Sequence, residues 1–294
     1  SVNSARQSRA GVSWPLNGES QLSDATEMNP LPEQFAGTEP AQVAKRLFHA
    51  TRPKFYPASV LPVLAGSAWG YAVSGGFDWG VFILALFATM CVHAGGNVLN
   101  DVGDDEIGTD RLNEDRIYPY TGGSRFIQTG ILSPGSMRRL GIGLIAAAAL
   151  AGIILLIEKG PMILGFGLAG VLLAVLYSLG PVKLASIGLG ETAVGVAFGI
   201  IPVTGAAWLQ SGTIDQTVII FSLPIALWVT AILLANEVPD IAADAAAGKR
   251  TLPVRFGLKA TSVFYFCLHL GGAVATGWLA FTGAGLVVAT AFIL

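Results

Sequence analysis

Long runs of apolar residues, most of them close to twenty residues in length, recur along nearly the whole chain and constrain its fold more than any other feature. A helix of about 20 apolar residues crosses the hydrocarbon core of a bilayer. The runs are continuously apolar instead of alternating, which indicates helices and not the strands of a membrane barrel. We therefore predict an all-α, multi-pass transmembrane helical bundle. About eight spans are visible, at 56–75, 79–100, 138–157, 161–179, 187–209, 217–236, 261–282 and from 284 onward.

Composition agrees with a membrane protein and excludes several partners. The chain is 53% hydrophobic and 12% charged, whereas soluble domains carry about 25% charged residues. Its net charge of -2 gives no reason to expect a nucleic acid partner. The two cysteines, Cys91 and Cys267, lie inside apolar runs, so we expect small buried hydrophobes and no disulfide framework. Nothing in the sequence indicates an obligate protein partner.

Basic residues mark one side of the membrane. They are concentrated before the first span and after the second, fourth and sixth, whereas the connections on the opposite side contain only Lys159. The positive-inside rule then places the N-terminus and these loops in the cytoplasm. The basic residues that set this orientation are Lys45, Arg46, Arg52, Lys54, Arg111, Arg116, Arg125, Arg138, Arg139, Lys183, Lys249, Arg250, Arg255 and Lys259.

The two ends of the chain differ in character. Residues 1–44 are rich in Ser, Gly, Pro, Glu and Gln, so we predict a disordered cytoplasmic extension ahead of a transmembrane domain at 45–294. The chain begins at Ser and stops inside an apolar run, which suggests a fragment that lacks its last helix or two.

A first acidic motif follows the second span, in the segment NVLNDVGDDEIGTD from Asn97 to Asp110. On a helix, its Asn and Asp residues recur at three- and four-residue steps and occupy adjoining strips of one face. That arrangement is repulsive unless a divalent cation lies among the oxygens. The residues in these strips are Asn97, Asn100, Asp101, Asp104 and Asp105.

A second motif follows the sixth span and resembles the first. Asn236, Asp240 and Asp244 are spaced four residues apart, and Lys249 and Arg250 follow in the same loop. Mg²⁺ prefers one or two carboxylates together with the phosphate oxygens of a substrate. Two such clusters on one membrane face, interleaved with cations, therefore suggest a site that holds Mg²⁺ against a diphosphate.

Several further residues are candidates with weaker signals. Arg116 and Arg125 flank a Gly-Gly-Ser loop whose backbone amides could approach an anion. Lys183 follows the fourth span and is either an anion-binding residue or an interfacial lysine. His49, His93 and His269 have no partner visible in the sequence, and we expect structural roles for them.

Taken in order, these segments resemble the UbiA superfamily of intramembrane prenyltransferases, and most closely its 1,4-dihydroxy-2-naphthoate polyprenyltransferases of menaquinone synthesis. The resemblance covers residues from about 45 to the end and includes Asn-Asp-x-x-Asp at 100–104 and Asp-x-x-x-Asp at 240–244. It also includes Arg52-Pro53-Lys54, Thr121-Gly-Gly-Ser-Arg-Phe-Ile-Gln-Thr-Gly130, Gly188-Leu-Gly-Glu191 and Ala247-Gly-Lys-Arg-Thr-Leu252.

The resemblance implies nine transmembrane helices around a central cavity, in the cytoplasmic membrane of a prokaryote. It implies Mg²⁺-dependent transfer of a polyprenyl group from its diphosphate to 1,4-dihydroxy-2-naphthoate, with loss of CO₂ and diphosphate, to give demethylmenaquinone. Asn100, Asp104, Asp240 and Asp244 would hold two Mg²⁺ ions and carry catalysis. Either Asp105 or Asp110 would complete the metal shell, because Gly108 stands where many members have a third Asp. The implied substrate-binding residues are Asn97, Asp101, Arg116, Arg125, Lys183, Asn236, Lys249 and Arg250.

Two kinds of alternative remain open at this point. The acceptor could instead be 4-hydroxybenzoate, a chlorophyllide, haem or a glycerol-phosphate lipid, each used within the same superfamily. A cation-coupled transporter is the alternative of another class, although transporter sites lie near the bilayer midplane and these carboxylates cluster at predicted cytoplasmic ends. The length of the prenyl chain and the oligomeric state are not readable from the sequence.

Overall fold

Helices account for every regular element in the part of the chain that the computed structural model describes, namely residues 30–113, 116–117, 120–180 and 182–284. Seven of the eight predicted spans coincide with helices. These are α2 (Pro57–Ser74), α3 (Trp79–Ile107), α5 (Pro134–Lys159), α6 (Met162–Ser178), α7 (Gly190–Ser211), α8 (Gln216–Asn236) and α10 (Leu252–Leu279). Shorter helices are α1 (Pro40–Ala50), α4 (Thr109–Leu112) and α9 (Ile241–Ala246).

The all-α membrane architecture is confirmed, whereas the number of spans is not. Five of the long helices, α3, α5, α7, α8 and α10, are long and apolar enough to cross a membrane. Helix α6 is apolar but shorter. The predicted span from 284 falls almost wholly on residues 285–294, which lie outside the described residues.

The N-terminal boundary differs from the prediction of a disordered segment at 1–44. Residues 1–29 lie outside the described residues, but 30–44 contain a 3-10 turn at Pro32–Phe35 and the start of α1. Phe35 is buried edge-on against Phe126, with ring centroids 4.9 Å apart. Arg46 of α1 donates a hydrogen bond to the carbonyl of Phe35, at 3.0 Å. One aromatic anchor and one proline-initiated helix thus order a segment whose composition is otherwise polar.

The first acidic motif lies on a helix and not in a loop, because α3 continues seven residues beyond the predicted end at 100. The helix ends at Gly108, whose φ of 87° is left-handed and whose backbone N–H bonds to the carbonyl of Asp104 at 2.9 Å. The motif therefore has fixed helical spacing, which determines which of its side chains share a face.

Close helix packing depends on small residues. Helix α2 packs along the second half of α7, and α3 packs along α5. At Gly66 of α2, a Cβ atom would come within 2.2 Å of the carbonyl oxygen of Val203 in α7. No side chain fits there unless the two backbones separate, as is typical of helix pairs in lipid.

We therefore expect Gly66→Ala to destabilise the protein by about 1–3 kcal/mol through overpacking. The matched control is Gly143→Ala on α5, where a Cβ would meet no atom within 4 Å. Alanine is the better helix former, so the control should be neutral or slightly stabilising. The measurement is the thermal midpoint of each purified variant in the same detergent, and equal midpoints for the two variants would contradict the packing argument.

Helix α10 begins earlier than the predicted span at 261 and is interrupted within its first turns. Gly257 has φ 73° and ψ 172°, a region open essentially to glycine alone. The short piece before Gly257 belongs to the loop that carries the second motif, and the apolar piece after it is the spanning segment. The predicted span therefore corresponds to the part of α10 after the break.

Candidate active site

A cavity of about 600 Å³ lies among α2, α3, α5, α6, α7 and α8. At one end, carboxylates, amides and two cations line its wall, contributed by the ends of α3 and α8, by α4, α9 and their loops, and by the segment between α1 and α2. The rest of the wall is largely apolar, with side chains such as Ile145, Ile153, Ile163, Leu168, Val171 and Leu173. The cavity therefore offers a polar mouth for a charged group and an apolar interior for a hydrocarbon chain.

From the first motif, Asn97, Asn100 and Asp104 line the cavity. Their spacing of three and four residues on α3 places them on one face. Asn97 donates a hydrogen bond to the carbonyl of Thr51 at 3.1 Å, and Asn100 donates to the Asp104 carboxylate at 3.2 Å. These three predicted site residues are therefore brought together.

Asp101 and Asp105 leave that face, so the expectation that all five motif residues share it is wrong. Asp101 is buried, forms an ion pair with Arg52 and accepts a hydrogen bond from the backbone N–H of Ser124 at 3.2 Å. Asp105 pairs with Arg111 at 3.2 Å and is not part of the cavity wall. A step of one residue on a helix turns the side chain by about a hundred degrees, which separates these neighbours from Asn100 and Asp104.

The second motif meets the first across the cavity. Asn236, Asp240 and Asp244 all line it, from the end of α8 and from α9. Asn113, which follows α4, donates a hydrogen bond to the Asp240 carboxylate at 2.7 Å. Both predicted clusters therefore line one cavity, and Asn113 links the second of them to the segment after α4.

Lys249 links the two motifs directly. Its Nζ lies 2.6 Å from Oδ1 of Asp104 and 3.4 Å from Oδ1 of Asp244. Burial lowers the pKa of Lys249, but the two carboxylates outweigh burial and raise it above its usual value. The ammonium group thus occupies the position between the motifs where a positive charge is most favourable.

The acidic side chains of the mouth are buried and repel one another. Burial raises the pKa of Asp244 to about 6, even though Lys249 opposes the rise, and Asp104 and Asp240 add to it. Burial likewise raises the pKa of Asp110 to about 7, with Asp104 adding to the rise. Such a site is stabilised by a further cation.

The donor set fits Mg²⁺ as an open site and not as a closed cage. Within the described residues, no three acidic, His or Cys side chains lie close enough together to hold a metal by themselves. Mg²⁺ is held in proteins through one or two carboxylates, and its remaining positions take waters and substrate phosphates. Asp104 with the amide of Asn100 beside it, and Asp240 and Asp244 from the second motif, supply carboxylates in ones and twos that match this pattern.

Of the two alternatives for completing the metal shell, only Asp110 lines the cavity. Its carboxylate accepts a hydrogen bond from Gln128 at 3.2 Å, and its carbonyl accepts one from Arg125. Asp105 also contacts Gln128, at 3.3 Å, but it lies outside the cavity wall. The geometry therefore favours Asp110.

Arg52 lies in the site but was not among the predicted site residues. In the sequence it was noted only as a basic residue that sets the membrane orientation and as part of the motif Arg52-Pro53-Lys54. Its guanidinium lines the cavity, and Nη2 lies 3.4 Å from Oδ1 of Asn100. Its backbone is left-handed, with φ 58°. Strained non-glycine residues of this kind cluster at functional sites. The readable signal was an arginine directly before a proline at the entrance to the first span.

The remaining predicted basic residues do not line the described cavity wall. Arg125 also has a left-handed backbone, with φ 66°, and ties the loop to Asp110. Lys183, with φ 43°, precedes a 3-10 turn at Leu184–Ser186. Arg250 is exposed, and its backbone N–H bonds to the carbonyl of Ser186 at 2.9 Å. Arg116 packs against Gly122.

Two buried glutamates beside the second motif were also missed. Glu237 lines the cavity, and burial together with the nearby carboxylate of Glu191 raises its pKa well above the usual range. Glu191 accepts a hydrogen bond from the backbone N–H of Leu252 at 2.8 Å, which fixes the start of α10. Their burial depends on contacts between distant segments, so the sequence pattern alone does not distinguish them from surface acids.

Comparison with known families gives a match over most of the chain. A sequence model described as the UbiA prenyltransferase family matches residues 59–294. A 1,4-dihydroxy-2-naphthoate octaprenyltransferase of Haemophilus influenzae is 34% identical over 247 residues, covering 82% of this chain and 78% of that protein. An enzyme of the same name from Mycobacterium tuberculosis is 31% identical, covering 73% of this chain and 70% of its own length.

The fold also resembles that of solved structures. A UbiA homologue from Archaeoglobus fulgidus, bound to GPP and Mg²⁺, superposes with a TM-score of 0.65 at 14% identity. The superposition covers 84% of this chain and 85% of that one. At this level of identity the likeness concerns the fold.

Proposed function

Since this chain belongs to the UbiA prenyltransferase family, we propose that it transfers a polyprenyl group from its diphosphate to 1,4-dihydroxy-2-naphthoate in an Mg²⁺-dependent reaction. The observation that carries the proposal is the meeting of both Asn/Asp motifs at the polar mouth of one apolar cavity. The names of the relatives support the naphthoate acceptor. The GPP and Mg²⁺ bound to the archaeal homologue support the donor and the metal.

At the mouth, the donor's diphosphate would lie among Asn100, Asp104, Asp240 and Asp244, which would hold Mg²⁺, with Asp110 completing the shell. When bound, Mg²⁺ neutralises the negative charge that builds up on the departing diphosphate. Arg52 and Lys249 are the cations on the described cavity wall, and they would add countercharge to the same group. Asn97 and Asn236 would orient it.

Deeper in the cavity, the apolar wall would take the prenyl chain and exclude water from the reacting carbon. The bond between the first prenyl carbon and the diphosphate oxygen breaks, and its electron pair leaves with the diphosphate. The ring carbon of the acceptor that bears the carboxylate then forms a bond to the prenyl carbon. Loss of that carboxylate as CO₂ restores the aromatic ring, so the product forms as the reduced quinol of demethylmenaquinone.

The same proposal places the protein in the cytoplasmic membrane of a prokaryote, with the mouth of the cavity facing the cytoplasm. The distribution of basic residues supports this orientation, because the loops that carry both motifs also carry most of the Lys and Arg residues. The prenyl diphosphate would then enter with its charged head in water and its chain in the bilayer.

The test is an assay of membranes that contain the full-length protein, with radiolabelled polyprenyl diphosphates of several lengths and 1,4-dihydroxy-2-naphthoate. We expect a prenylated, decarboxylated product that disappears with EDTA and returns with excess Mg²⁺. Turnover with 4-hydroxybenzoate instead would overturn the acceptor while keeping the reaction. Protein that is folded in detergent but transfers no prenyl group to any aromatic acceptor would contradict the whole proposal.

A further inference from the structure

The polar stripe of α3 continues below the acidic mouth into the apolar part of the cavity. Thr89 and His93 line the same wall as Asn97, Asn100 and Asp104, at successive steps of three or four residues. The helical rise places His93 about 10 Å deeper than Asn100 along the axis. An imidazole at this depth lies beyond the reach of the groups that would hold the diphosphate.

The orientation of the His93 ring is fixed by its neighbours. Nδ1 lies 2.8 Å from the hydroxyl oxygen of Ser59 on α2, and Ser59 lines the cavity as well. The ring makes edge-on contacts with Tyr56 and Phe198, with centroids 5.8 and 4.6 Å away. These three contacts hold the ring in one orientation.

The second nitrogen, Nε2, has no hydrogen-bond partner among the residues that the structure describes. If His93 served only to link α2 and α3, the bond from Nδ1 to Ser59 would be sufficient. Nε2 would then face the apolar wall without a partner, which is unfavourable unless a ligand or a water molecule supplies the missing hydrogen bond. His93 is therefore equipped to bind one polar group of a molecule inside the cavity.

We propose that His93, oriented by Ser59, binds the 4-hydroxyl group of the aromatic acceptor. This inference rests on the proposed function, which supplies a ring with two hydroxyl groups in para positions. When the carbon that bears the carboxylate faces the prenyl donor near the mouth, the 1-hydroxyl lies beside it and the 4-hydroxyl points away. The deeper wall must then supply a hydrogen-bonding partner for the 4-hydroxyl.

A neutral imidazole can bind a hydroxyl group in either of its two tautomers. If the Ser59 hydroxyl donates to Nδ1, Nε2 carries the proton and donates to the acceptor oxygen. If Nδ1 donates to Ser59, Nε2 accepts the hydroxyl proton of the acceptor. His93 is thus a residue that selects para-dihydroxy rings over monohydroxy ones, and Ser59 is its positioning residue.

The experiment compares two ligands that differ only in the 4-hydroxyl. The KM for 1,4-dihydroxy-2-naphthoate is measured beside the inhibition constant of 1-hydroxy-2-naphthoate, in the presence of Mg²⁺ and a polyprenyl diphosphate. Wild-type protein should favour the dihydroxy compound by roughly tenfold or more, the effect of one hydrogen bond in a desolvated site. His93→Leu should bind both compounds equally, with an unchanged KM for the prenyl diphosphate.

Two further variants separate positioning from packing. Ser59→Ala should reduce the preference in the same direction but by less, because the ring remains in place without its anchor. Ser222→Ala is the matched control, because Ser222 is a buried serine that bonds to the carbonyl of Ile219 on its own helix α8 and does not line the cavity. It should keep the wild-type preference.

The possible failures are distinguishable. Wild-type protein that does not prenylate 1,4-dihydroxy-2-naphthoate would overturn the proposed function. Wild-type turnover together with an unchanged ligand preference in folded His93→Leu protein would overturn the assignment of His93 alone. If His93→Leu does not fold, His93→Gln supplies the test, because the side-chain amide of Gln keeps one polar atom that can contact Ser59 and another that can contact the ligand. This variant should retain part of the preference for the dihydroxy compound.

Discussion

Asp104→Asn is expected to lower the rate of prenyl transfer by roughly a hundredfold or more, because Asp104 would help to hold the Mg²⁺ that stabilises the charge developing on the diphosphate, and loss of such electrostatic stabilisation typically has an effect of this size. Asp104 lines the mouth of the cavity, and its carboxylate faces Lys249 at 2.6 Å. Asparagine keeps the shape of the side chain but removes the charge that would hold Mg²⁺. The measurement is the initial rate of transfer at saturating Mg²⁺ and acceptor, with purified protein of known concentration.

The fold should survive this change. Lys249 retains Asp244 as a partner at 3.4 Å, and the repulsion between Asp104 and the neighbouring carboxylates disappears. Asp105→Asn is the matched control, because Asp105 is the next residue on the same helix but pairs with Arg111 outside the cavity. It should keep most of the activity. Equal losses in the two variants would show that position on α3, and not exposure to the cavity, decides the effect.

Asp101→Leu should act on stability, in contrast to Asp104→Asn. Asp101 is almost fully buried, with 2% of its surface exposed, and it balances the buried guanidinium of Arg52. Asp101 is the carboxylate in direct contact with this guanidinium, and removing one partner of a buried ion pair costs about 3–5 kcal/mol. We therefore expect the free energy of unfolding, measured by titration with SDS in mixed micelles, to fall by about 3 kcal/mol.

The double variant Arg52→Met with Asp101→Leu tests the cause. Replacement of a whole buried ion pair by apolar side chains is often neutral, so the double variant should recover most of the stability. Its activity should stay low, because Arg52 also lines the cavity. A loss of stability in the double variant equal to the sum of the losses in Arg52→Met and Asp101→Leu would show that the two side chains are not coupled.

The sequence was informative where periodicity and charge act locally. Seven of the predicted spans are helices, and both Asn/Asp motifs reach one cavity, because apolar runs and the spacing of Asn100 and Asp104 depend on neighbours along the chain. The predicted span ended at 100 because the apolar run ends there, whereas the helix continues to Ile107. Arg52 and Lys249, from distant segments, pair with the carboxylates on this last part of the helix.

The parts that could not be predicted depend on contacts between segments far apart in sequence. Asp101 and Asp104 have the same side chain, but Asp101 pairs with Arg52, 49 residues before it in the sequence, whereas Asp104 lines the cavity and pairs with Lys249. The contacts of His93, for which the sequence predicted a structural role, could not be predicted for the same reason. Its bond to Ser59 spans 34 residues, and the cavity wall beside it is formed by other helices.

The break in α10 at Gly257 has a mechanical consequence for the second motif. The segment before the break is held by the bond from Leu252 to Glu191, so it is fixed to the body of the protein near Lys249. The segment after the break is free to take the tilt that bilayer thickness and lipid packing impose on a spanning helix. If the helix were continuous, each change in the tilt of its spanning part would also move the segment beside Asp244 and Lys249. Because the backbone leaves helical geometry at Gly257, we expect this glycine to act as a hinge, so that the geometry of the mouth depends little on the thickness of the surrounding membrane.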